Sequence, residues 1–116
     1  MKEETKELLL TVIKDYMSSA QDDLNEAIAM EDYGTASVRG EDIMHYSNCL
    51  DQFEDVEDLE SMSDEEFSKY FSTFESWQLV KEWLKEPEMW KDGIRLLAEQ
   101  NDLTDAIDEV IVLVQD

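Results

Sequence analysis

Apolar residues recur every three or four positions through the start of the chain: Leu9, Ile13, Tyr16, Ala20, Leu24 and Ala27. At 3.6 residues per turn they fall on one side of a rod. This predicts an amphipathic helix over residues 3–31, about 43 Å long at 1.5 Å per residue. Its outer positions carry Asp15, Asp22, Asp23 and Glu26. Gly34 is the expected left-handed C-cap, because glycine has no Cβ to clash there. A second helix is predicted from Thr35 or Ser37, with Ile43, Tyr46, Leu50 and Phe53 as its buried stripe.

Beyond Phe53 the period fades. Ser63-Asp64-Glu65-Glu66 then reads as a capping box before an aromatic face of Phe67, Tyr70, Phe71 and Phe74. This helix continues, or restarts at Ser76, through Trp77, Val80 and Leu84. Pro87 is expected in the first turn of a further helix, where its missing N–H costs nothing. Trp90, Ile94 and Leu97 mark that helix's inner face. Asn101 or Asp102 is the expected cap of a last segment carrying Leu103, Ala106, Ile107, Val110 and Val114. The β-branched run Val110-Ile111-Val112 leaves a short terminal strand as its alternative. Three glycines and one proline give few breaks. The expected fold is all-α: one domain over residues 1–116, a compact or elongated bundle of about five helices with a long N-terminal helix.

Charge changes this picture. Thirty-one acids against nine bases leave a net charge of −22. Residues 1–58 hold sixteen acids and four bases, and residues 59–116 fifteen and five. The excess therefore coats the domain and is not a tail. It is densest between Phe53 and Phe67, where eight of fifteen residues are acids and none is a base. Asp64, Glu65 and Glu66 have a structural role there, complementing a helix dipole. Solubility of a small domain needs a net charge of only about 2–8. The remainder repels itself on compaction and disfavours DNA or anionic membranes as ligands, which points to a basic protein partner. No apolar run approaches the ~18 residues of a membrane span. The N-terminus MKEETKELLL is too acidic for a signal or transit peptide. The lone Cys49 forms no internal disulfide and fits a reducing compartment, so the cytoplasm is the expected location.

Metal and catalytic chemistry find little support in the spacing. An EF-hand loop needs a glycine at its sixth position and a glutamate at its twelfth, and Gly34, Gly40 and Gly93 have neither flank. Glu41, His45 and Cys49 stack at four-residue intervals, but a closed zinc site wants four ligands, mostly Cys or His. Only Asp42-Ile43-Met44-His45 approximates the Glu-x-x-His of a di-iron bundle, which needs two. No Gly-rich turn offers phosphate-binding or oxyanion donors. Cys49 is expected as a small core residue and His45 at the surface. Stacking of bases on the aromatics would need a basic groove. No metal, cofactor or catalytic residue is expected, and the chain does not read as an enzyme. Trp83 or Trp90 is a candidate for a subunit interface.

Duplex DNA carries one charge per ~1.7 Å of axis, so −22 equals about 37 Å of duplex. Helices hold carboxylates at fixed spacing on a stiff rod, which suits imitation of that backbone. The segment Asp22-Asp23-Leu24-Asn25-Glu26-Ala27-Ile28-Ala29-Met30 resembles one in the phage overcome-classical-restriction (Ocr) antirestriction proteins. The resemblance implies a phage-encoded, dimeric mimic of bent DNA that blocks type I restriction–modification enzymes. The chain departs from that family at its C-terminus, which ends EVIVLVQD in place of a strongly acidic tail. An anti-CRISPR protein acting on a CRISPR effector would obey the same physics. The expected contact residues form two strips. Asp15, Asp22, Asp23, Glu26 and Glu31 follow the first helix, and Glu54, Asp55, Glu57, Asp58 and Glu60 follow the second. A homodimer is expected, since a symmetric pair would extend the acidic surface. The rival readings are an acidic immunity protein neutralising a basic nuclease toxin and a helical adaptor without inhibitory role.

Overall fold

The N-terminal seam folds as α1, Glu3–Ala29, in a computed structural model that describes residues 1–55 and 59–115. Its 27 residues span about 40 Å. α2, Tyr33–Asp55, turns back antiparallel along it. Four shorter helices follow: α3 (Asp64–Tyr70), α4 (Glu75–Leu84), α5 (Trp90–Gln100) and α6 (Ile107–Gln115). Two 3-10 turns, Leu59–Ser61 and Thr104–Ala106, precede α3 and α6. The described residues are thus all-α, with six α-helices where the pattern predicts about five.

The core sits at one end of the α1–α2 hairpin. Leu8, Leu9, Val12 and Ile13 of α1 are buried against the apolar α6, whose Val110, Leu113 and Val114 are equally enclosed. Phe53, Phe67, Phe71 and Trp77 fill the space beside them in edge-on and tilted contacts, with centroids 5.0 Å (Phe53–Phe71) and 5.3 Å (Phe53–Trp77) apart. Such geometries satisfy the ring quadrupoles. The N-terminal ammonium donates to the Met62 carbonyl, pinning the start of α1 to the first 3-10 turn. At the far end the hairpin projects. Beyond Ala20 only Ala27 is buried on α1, and the first buried residue of α2 is Tyr46.

Four expectations about helix ends are corrected. α1 stops at Ala29, and the left-handed residue is Glu31 (φ 57°), not Gly34, which lies inside α2. The Asp32 amide donates to the Ala27 carbonyl at 2.8 Å and the Glu31 amide to that of Ile28 at 3.1 Å, the paired bonds of a Schellman turn. α2 begins earlier than Thr35 because Asp32 Oδ1 accepts the Thr35 amide at 3.2 Å and caps it. Pro87 precedes α5 by three residues, its carbonyl accepting the Trp90 amide at 3.1 Å. Asp102 (φ 56°) ends α5 in a second left-handed turn and does not cap the last helix. The last segment follows the helical spacing expected of it and not the strand alternative at Val110-Ile111-Val112, because that period puts Val110, Leu113 and Val114 into the core together. The Ser63 cap is present, its Oγ accepting the Glu66 amide at 3.2 Å, and a new helix restarts at Glu75.

Candidate partner-binding surface

Helix geometry turns the acids outward, since every apolar stripe leaves its opposite face to water. Among the described acidic residues all but Asp42, Asp64 and Glu109 are exposed. Ion pairs at Lys14–Glu54, Arg39–Asp23, Arg39–Asp42, Lys85–Glu82 and Arg95–Asp92 neutralise only a few of them. The body measures 46 × 30 × 23 Å.

One flank of α1 borders three depressions that share lining residues. The first, about 450 Å³, lies between α1 and α5 over Val12, Ile94 and Leu97, with Asp15 at its edge. Tyr16 and Pro87 also line the second, about 190 Å³, which adds Asp42, Tyr46, Trp83 and Glu86. Arg39 connects this to the third, about 200 Å³, at the hairpin turn beside Asp23, Glu26 and Asp32. Together they form a furrow from Val12 to Met30, about 27 Å along α1. Among the described residues Arg39 is the only base lining it.

The furrow walls are fixed by polar contacts across helices. Tyr16 Oη donates to the Leu84 carbonyl at 3.2 Å. Burial, with Asp15 and Glu86 adding negative potential, raises the Tyr16 pKa. Tyr46 stands edge-on to Trp83 with centroids 5.4 Å apart, and burial followed by Asp42 pushes its hydroxyl up to about 12. Behind them His45 Nδ1 lies 2.8 Å from Ser76 Oγ, and Asn48 donates to the same oxygen at 3.2 Å, tying α2 to α4. Asp32 is lowered below the usual carboxylate value by its hydrogen bonds from Thr35.

The expected contact residues divide between places. Asp15, Asp23 and Glu26 line the furrow. Asp22 is exposed on the same helix, and Glu31 forms the hairpin turn. Glu54 faces the other flank of α1, where Lys14 lies 3.9 Å away among residues unconnected with the furrow. Asp55 and Glu60 are exposed beyond it, near the N-terminal end of α1. Glu57 and Asp58 lie outside the described residues. The described residues of the two strips therefore do not merge into one face. Asp32, Asp42 and Glu86 are furrow residues that the helical pattern does not single out, although Arg39-x-x-Asp42 is a visible i,i+3 pair.

Glu41, His45 and Cys49 do not converge. Cys49 is enclosed in the core, where burial pushes its thiol up to about 12, while Glu41 is exposed. Among the described residues no three His, Cys, Asp or Glu side chains are placed to hold a metal ion. No helix among them is long and apolar enough to cross a membrane. Compared with protein-family models, curated proteins and solved structures, the chain matches none.

Proposed function

We propose that this protein is a phage-encoded mimic of the DNA backbone. It occupies the positively charged nucleic-acid channel of a host defence enzyme, a restriction–modification enzyme or a CRISPR effector. The observation that carries this is charge density. A duplex 46 Å long bears about 27 charges at one per 1.7 Å. The protein bears a net −22 on a body of that length. Most of the described carboxylates stand on helices and are exposed to water, so they can meet a basic groove from a fixed scaffold. Binding releases counterions from both surfaces and weakens as salt rises. The resemblance of Asp22–Met30 to the antirestriction segment supports the same reading.

Pairing of two copies belongs to this proposal on charge grounds alone, as a longer acidic surface. Phe53, Phe67, Phe71 and Trp77 are enclosed within one core, whereas Trp83 and Trp90 are half-buried and Tyr33 and Tyr70 exposed. The test is graded neutralisation. A single Asp22→Asn change is expected to alter inhibition by less than about twofold, because many weak contacts are pooled. Asp15, Asp22, Asp23 and Glu26 changed together to their amides are expected to lose about ten- to a hundredfold in potency. Equal potency of that quadruple variant would contradict the proposal.

A further inference from the structure

Backbone imitation calls for carboxylates, yet the first depression of the furrow is apolar. Val12, Ile94 and Leu97 floor it, and Leu96, 55 % exposed on α5, stands at its rim. Its volume of about 450 Å³ lies within the range of pockets that enclose a ligand group. Gly93 sits in its wall, in the interior of α5, where glycine weakens a helix. The fold does not require that glycine. A Cβ built there meets nothing within 4 Å, and its φ is not in the left-handed region. Its effect is to leave the groove open.

The surroundings select the occupant. Asp15 lies at the groove edge, and past Tyr16 and Pro87 the furrow continues to Asp42, Glu86, Asp23 and Glu26. The two bases of α5 are engaged elsewhere, Lys91 over the Trp90 ring and Arg95 on Asp92 at 2.9 Å. A second copy of this chain would bring its own negative charge to that acidic furrow. We infer that the groove takes a bulky apolar side chain from a Lys/Arg-rich segment of the target protein, with the neighbouring cations lying along the acidic furrow. This rests on the proposed basic partner and adds to it. Charge steers the encounter, while a buried apolar anchor slows dissociation.

Two synthetic peptides test it, both alternating Lys and Arg, one with a central Trp and one with Ala in its place. By titration calorimetry at moderate salt, the Trp peptide is expected to bind about tenfold tighter than the Ala peptide. Gly93→Leu places an apolar side chain in the groove wall, starting from a Cβ position with no neighbour within 4 Å, and Leu96→Ser removes its rim. Each is expected to shrink the Trp preference to about twofold or less while leaving Ala-peptide binding unchanged. An unchanged preference in both variants, with unchanged helical circular dichroism, overturns the groove assignment. Equal binding of the two peptides to the unaltered protein also overturns it and leaves the basic-partner reading standing. Failure of both peptides to bind overturns the two together.

Discussion

Arg39 joins the two arms of the α1–α2 hairpin, with Nη1 2.9 Å from Asp42 Oδ2 and Nε 3.7 Å from Asp23 Oδ2. The first contact is a hydrogen bond. The second is close enough for charge pairing only, and Nε has no hydrogen-bond partner. No other base occurs between Lys14 and Lys69. Half-exposed pairs of this kind are worth about 0–1 kcal/mol. Arg39→Gln is therefore expected to cost at most about 1 kcal/mol in thermal unfolding while tightening binding to polylysine. Weaker polylysine binding would show that Arg39 shapes the surface and does not merely dilute its charge.

The left-handed turn at Glu31 predicts a stabilising substitution. A residue with a Cβ pays about 1 kcal/mol or more in that conformation, and glycine does not. Glu31→Gly is expected to raise the melting temperature, offset in part by the greater freedom of glycine when unfolded. Glu31→Ala should not match it, because alanine keeps the Cβ. A melting temperature equal for the two variants would mean that relief of charge, not backbone, is responsible.

That turn also shows where sequence pattern stops being informative. The α1 seam and the Ser63 cap are legible because each is a local relationship among residues a few positions apart. Gly34 reads as the helix stop on propensity, yet Asp32 can bond both the end of α1 and the Thr35 amide of α2. Two satisfied ends outweigh one strained residue. Val110-Ile111-Val112 follows the same logic, since burial on α6 overrides β-propensity. The furrow was hidden for another reason. Tyr16, Arg39, Glu86 and Gly93 are far apart in the chain and meet only through packing.

Self-repulsion should make the fold depend on ionic strength. The Debye length falls from about 30 Å at 0.01 M salt to about 8 Å at 0.15 M, shorter than this body. Sodium chloride over that interval is expected to raise the melting temperature. A decrease would mean that the few ion pairs outweigh the repulsion among unpaired carboxylates.

Alkaline pH should unfold the protein through its core. Burial raises Cys49 from 9.0 to about 12 and, with Asp42, raises Tyr46 from 10.0 to about 12. Each favours the folded state fully below its unfolded value. That contribution is lost as pH rises through the folded value, so stability should fall between about pH 9 and 12. Cys49→Ala should flatten the decline, and a thiol reagent at neutral pH should label Cys49 only on unfolding. Rapid labelling of the native protein would contradict the enclosed position of the thiol.

Competition with DNA decides between mimicry and its rivals. Proteins captured from a bacterial lysate on the immobilised chain are challenged with a short DNA duplex or with guide RNA, at fixed salt and with a neutral polymer as control. A nucleic-acid-binding protein is expected to be retained, and duplex or guide RNA to displace it in a dose-dependent way. A captured protein that binds DNA and this chain together at full affinity contradicts mimicry. A sole partner that is a nuclease toxin, held away from its nucleic-acid groove, would make this an immunity protein instead.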